Sequence, residues 1–184
     1  MAIYGHNCFL AILDGASNMQ SAGRILMTLN KQLTVVHCAL RLVHLIFGQI
    51  DLISEVAALI ESYRVIRNWI YCHHFNHDLF KSLVMEANKG KFVGLPEAAD
   101  SRMGGHFMCL CRLLRLRNVL IQMVAHPKYV EQNYKDGPVR GFIMDEVSWH
   151  RVYSLLRGVW PLIMLLRLGD TNGAVMDFQV KCTI

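Results

Sequence analysis

The stretch Cys8-Phe-Leu-Ala-Ile-Leu-Asp-Gly-Ala-Ser-Asn-Met19, with Leu33-Thr-Val-Val36 after it, decides how this chain begins to fold. A short continuous apolar run closed by Asp14-Gly15 reads as a strand buried on both faces. Met19, Ala22, Ile25, Leu26 and Leu29 then recur at helical spacing, and Asn30-Lys31 ends that helix. The second β-branched run is a second strand. A strand, a helix and a strand form a right-handed crossover by default, so the two strands are expected to be parallel. Two strands make no stable sheet alone, and no later segment reads as a third.

Outward from this unit the text turns helical. Residues 38–47 are strongly apolar. Residues 50–73 keep Ile53, Val56, Ala57, Ile60, Tyr63, Ile66 and Ile70 on one face. Residues 78–88 form a short helix stopped by Lys89-Gly90. The segment 91–105 holds Gly94, Pro96, Gly104 and Gly105 and reads as a linker. Residues 107–125 are expected as one helix with Leu110, Leu113, Leu114, Leu120 and Ile121 inward. Residues 133–141 are expected as a turn. Residues 147–168 are expected as the last long helix, kinked or restarted at Pro161. There is no internal repeat. The expected organisation is an α-rich α/β chain with a partial core over 1–50, connecting helices over 51–90 and a helical region over 91–184.

Composition agrees with a folded chain. A length of 184 residues suits one domain, or one with an appendage, and 53% apolar residues exclude a disordered chain. Only 13 Gly and 4 Pro exclude a collagen-like one. The net charge of +5 permits an anionic partner without naming it. The six cysteines are scattered, with no disulfide spacing, and residues 1–13 have no basic leader or cleavage site. Reduced thiols in a nuclear or cytoplasmic protein are the expectation. No membrane span is expected: the best window, 155–168, is broken by Arg157, Pro161 and Arg167.

Three groups of residues invite a chemical role. Asp14 follows a strand at its carboxyl end, where open α/β sheets place their chemistry, although Asp-Gly is also ordinary turn chemistry and Asp14 or Ser17 is a fit helix cap. His37, Cys38, His44, Cys72, His73, His74 and His77 are metal-ligand types, but their spacing matches no zinc module, and Cys109 and Cys111 stand too close for a standard pair. No metal site is expected. Residues 101–130 carry no Asp or Glu and hold Arg102, Arg112, Arg115, Arg117 and Lys128. Arg112 and Arg115 lie three apart on one helix face. Such a stripe suits phosphates, and equally a solvated helix face.

The wording of five blocks resembles transposases of the hAT type and their DUF659-like relatives. Leu13-Asp-Gly-Ala-Ser-Asn-Met19 with Ala22-Gly23-Arg24 is similar to the family's T-D-N-A-S-N-M … A-G-R block. His37-Cys38-Ala-Leu-Arg41-Leu-Val-His44-Leu45 resembles its C-x-x-H-x-L-N-L block. Asp100-Ser-Arg102-Met103-Gly-Gly-His106-Phe-Met-Cys-Leu110 resembles T-R-[FW]-x-[ST]-x-[FY]-x-M-L. The run from Arg112 to Leu120 is similar to the L-L-x-L-K-x-A-L that follows. Ser148-Trp149, with Pro161-Leu-Ile-Met-Leu-Leu-Arg167 and Asp170, resembles F-W … P-I-V-x-x-L-R-x-x-D. The blocks come in the family's order and cover about residues 9 to 177.

The resemblance implies an incomplete ribonuclease-H-like core, two short parallel strands and one crossover helix, followed by a mainly helical insertion. Members use three acids and two divalent metals, Mg²⁺ in intact members, for in-line strand cleavage and transfer. Asp14 matches the second acid. The first would precede Met1 and the third would follow Ile184. The chain also departs from the pattern: Arg41 stands at the family's His, His44 at its Asn, Met103 at its aromatic and Gly15 at its Asn. Asp14 alone binds Mg²⁺ poorly, so no catalysis and no cofactor are expected. The expected function is that of a piece of a hAT-type transposase with residual, sequence-independent DNA contact through Arg102, Arg112, Arg115 and Arg117. The alternative is a helical protein-interaction or oligomerisation module, with a second copy as partner.

Overall fold

A computed structural model describes residues 9–97, 104–131 and 137–169. Of these, the residues up to Gln49 and from Met164 belong to one compact unit, and Ile50–Ile163 form the other.

The first unit holds β1 (Leu10–Leu13), α1 (Ser17–Leu29), β2 (Thr34–His37) and most of α2 (Ala39–Asp51). The strands pair in parallel, from Leu10 opposite Thr34 to Leu13 opposite His37, and α1 packs on both. Gly23 permits this close approach. A Cβ there would stand 2.9 Å from Leu13 Cδ1 and 3.0 Å from Val35 Cγ1, and the β-branched valine has little freedom to turn away. Two features depart from expectation. The strands are not buried on both faces: β1 alternates exposed and half-buried residues, with Ile12 49% exposed. Only α1 covers the sheet among the described elements of this unit. Neither Asp14 nor Ser17 caps α1, whose N-cap is Ala16 with no side-chain bond. The Gln20 amide instead donates to the Gly15 carbonyl, at 3.0 Å.

The second unit is helical: α3 (Ser54–Tyr71), α4 (His74–Ala87), α5 (Gly105–Arg115), α6 (Arg117–Ala125), α7 (Pro127–Glu131), α8 (Gly137–Met144) and the first part of α9 (Glu146–Gly169). Its core is closed. Ile70, Phe80, Val84, Phe107, Leu110, Leu120 and Ile143 are fully buried. Val56, Ile60, Tyr63, Ile66 and Ile70 form the buried face of α3 as their spacing predicts, while Ile53 and Ala57, expected on the same face, are exposed.

The single helix expected over 107–125 is two. It breaks at Leu116, whose φ of −93° and ψ of 7° leave the helical range. The break brings Leu116, Val119 and Leu120 inward and leaves Leu114 and Ile121 only half-buried. The turn expected over 133–141 is, in its described part, the start of α8. Pro127 and Pro138 both sit in first helical turns, where a missing N–H costs nothing. Pro161 neither ends nor restarts α9. It removes one intrahelical bond, while Leu156, Val159, Ile163 and Leu166 stay buried on either side. Asp145 caps this helix, accepting from the Ser148 amide at 2.9 Å and the Ser148 hydroxyl at 2.6 Å. These bonds, the hydroxyl first, hold its carboxyl below the usual range.

Candidate nucleic-acid interface

The sequence sets Arg112, Arg115 and Arg117 within six residues; the fold disperses them. Arg117 is committed to structure. Its guanidinium pairs with Glu146 and lies 5.6 Å above the Trp149 ring. That ring is itself fixed, donating its N–H to the Ile143 carbonyl at 2.8 Å and meeting Phe142 edge-on at 5.7 Å. Such stacking over a buried indole is a packing role, so the expected DNA contact by Arg117 is not what its geometry favours. Arg112 borders an open depression formed by Phe92, Gly94 and Pro96. Arg115, three residues on, borders a different one. Arg102 lies outside the described residues, as do Asp100, Met103 and Asp170 of the resemblance blocks.

Arg115 lies in the last turn of α5 and faces α9 across a groove of about 310 Å³. Leu114 and Leu156 line it, with Tyr153, Arg157 and Trp160. The last three stand four and three residues apart, which places them on one stripe of α9. Tyr153 and Trp160 are exposed although their neighbours Val152, Leu156 and Val159 are buried. The groove is therefore lined by two guanidinium groups and two aromatic rings. No Asp or Glu occurs in α5, and none follows Glu146 in α9, which adds Arg151, Arg157 and Arg167. The sequence stretch 147–169 is as free of acids as 101–130. That signal was present, but it sat in text read only for its apolar period.

Asp14 is exposed at the carboxyl end of β1, where a catalytic carboxylate is expected. Its described charged partner is Arg41, at 3.6 Å, so a cation faces the acid. A second carboxylate would be needed to hold Mg²⁺, and a guanidinium does not fit that donor set. Among the described residues no three His, Cys, Asp or Glu come together. His37, Cys38 and His44 lie in the first unit and Cys72 to His77 in the second. His73 Nδ1 lies 3.1 Å from the Trp69 carbonyl, and His77 meets the Tyr71 ring tilted at 5.4 Å and the Phe92 ring edge-on at 6.4 Å. Among the described residues no single helix is long and apolar enough to cross a membrane.

No family model, curated protein or solved structure matches this chain.

Proposed function

We propose that the chain is a hAT-transposase-like protein that contacts DNA without cutting it, through the groove between α5 and α9. What supports this is the interleaving of Arg115 and Arg157 with Tyr153 and Trp160. Guanidinium groups meet phosphates, and rings of this exposure give bases a face to stack on. Neither contact depends on sequence, so the binding is expected to tolerate any base order. An incomplete ribonuclease-H-like core would account for the parallel pair, its crossover helix and the place of Asp14. Strand cleavage by two metals needs carboxylates around both ions, and Asp14 beside Arg41 does not supply them. Mg²⁺ therefore has no part in the proposed contact. The test is an anisotropy titration with short DNA of mixed sequence. Micromolar affinity at low salt is expected, falling steeply between about 50 and 200 mM salt. No affinity at low salt removes the proposal.

A second reading, a module for protein interaction or self-association, has its own observation. Phe9, Leu10, Ile12 and Val36 on or beside the sheet, with Leu42, Leu45 and Ile46 on α2, are exposed. Apolar groups that lie together on an exposed surface mark association sites. Light scattering is expected to show a mass that grows with concentration if this reading holds. A monomer throughout would end it.

A further inference from the structure

A second polar site lies in the helical unit, away from the groove on α9. A cavity of about 260 Å³ is lined by Ile60, Tyr63, Arg64, Arg67 and Asn68 of α3, by Glu97, and by His106 of α5. The α3 residues stand at positions i, i+3, i+4, i+7 and i+8, so one face of a rigid helix supplies five of the seven lining groups. The polar atoms are unevenly used. His106 Nδ1 lies 3.0 Å from Asp51 Oδ2, while His106 Nε2 is buried with no partner among the described residues. Arg67 Nη2 lies 3.1 Å from Glu97 Oε2, while Arg67 Nε is also buried without one. Tyr63 is already occupied, donating to the Pro96 carbonyl.

Buried donors and acceptors that go unmatched call for an explanation. In a guanidinium the Nε and Nη2 hydrogens point the same way, as a fork matched to two oxygens of one oxyanion. Here only one tine is engaged; the guanidinium also lies 5.2 Å from the Tyr71 ring, as that of Arg117 lies over Trp149, and what sets Arg67 apart is the cavity it borders with His106. The group engaging it, Glu97, has a side chain 77% exposed, against 23% for Arg67. A carboxylate reaching in from solvent to half-fill a sheltered arginine is a replaceable occupant. His106 completes the pattern. With Nδ1–H donated to Asp51, Nε2 accepts a ligand hydroxyl when the ring is neutral and donates to a ligand oxygen when the ring is protonated.

We propose that this cavity binds a small phosphate-type oxyanion, which takes both tines of Arg67, displaces Glu97 and reaches His106 Nε2 with its remaining oxygens. The volume is below that of pockets for drug-sized ligands, which suits inorganic phosphate or the phosphate end of a larger molecule. The inference stands apart from the DNA contact on α9, because it uses none of the same residues.

The test is a titration of the full chain with inorganic phosphate, read by NMR at the His106 imidazole. Millimolar binding that shifts the His106 signals is expected. Arg67→Gln is expected to weaken it by about tenfold or more, as loss of a charge-assisted fork does. Glu97→Gln is the sharper variant, because it removes a competitor at an exposed position. Phosphate should bind that variant several-fold tighter, whereas a purely structural Glu97–Arg67 pair would give weaker or unchanged binding. A 5′-phosphorylated oligonucleotide that displaces phosphate at His106 would support the site and name a nucleic-acid end as its source. One that does not, with phosphate still bound, would support a free small molecule. No shift at His106, or a Glu97→Gln variant that binds no tighter, overturns the proposal.

Discussion

The two units are built from equally apolar text and bury it very differently. In the helical unit Phe80, Val84, Phe107, Leu110 and Leu120 are wholly enclosed; in the strand-bearing unit Ile12, Ile25, Leu29, Leu42 and Leu45 face outward. The difference follows from how each element closes itself. A helix satisfies its own backbone and needs only neighbours for one stripe, and α3, α4, α5, α6 and α8 provide them for each other. A two-stranded sheet has two faces to cover, and α1 reaches one. An apolar residue count therefore says nothing of burial until the number of covering elements is known.

The largest effect that would sharpen this contrast is a pair of truncations. Phe80→Ala is expected to cost about 3–5 kcal/mol, as in other closed cores. Ile12→Ala should cost under about 1 kcal/mol, because its side chain is half in water. Trp69, Trp149 and Trp160 all lie in the helical unit, so tryptophan fluorescence in urea reads that unit. The Phe80 variant should shift the midpoint strongly and the Ile12 variant hardly at all. Equal shifts would break the distinction between the units.

A smaller effect tests one helix end. Asp145 has its carboxyl held low by the Ser148 hydroxyl and by the amides of Ser148 and Val147. A carboxyl whose folded value is depressed stabilises the fold above its unfolded value, and that contribution is lost as pH falls through the folded one. Asp145→Ala should therefore lower the melting temperature at neutral pH, with the gap to the wild type closing in acid. A gap that persists unchanged in acid would rule out the carboxylate as its cause.

How much of this was legible beforehand differs by element. The crossover unit was readable because Leu10–Leu13 and Leu33-Thr-Val-Val36 are continuous β-branched or aliphatic runs divided by a helical period. The exposure of those strands was not, because a continuous apolar run says what a strand would bury, not whether anything covers it. The break at Leu116 was hidden, since leucine marks no boundary and Leu113, Leu116 and Leu120 keep the period of one continuous helix. Pro138, expected in a turn, lies in the first turn of α8. The arginines show the limit most plainly. Charge spacing placed Arg112 and Arg115 together, yet each borders its own depression, and Arg117 was taken up by Glu146 and Trp149. The pairing of Arg115 with Arg157, forty-two residues later, is a tertiary fact with no local signature.

The central claim is that the groove between α5 and α9, and not the arginine-rich text as a whole, contacts DNA. It is tested by titrating fluorescent single-stranded DNA with the wild type, with Arg115→Gln/Arg157→Gln and with Arg117→Gln, each over a range of salt. The groove variant is expected to bind weaker and to lose about two phosphate contacts from the salt slope, about one per arginine removed. Arg117→Gln should unfold more easily and bind as the wild type does. Loss of affinity in Arg117→Gln with the groove variant unaffected would contradict the account.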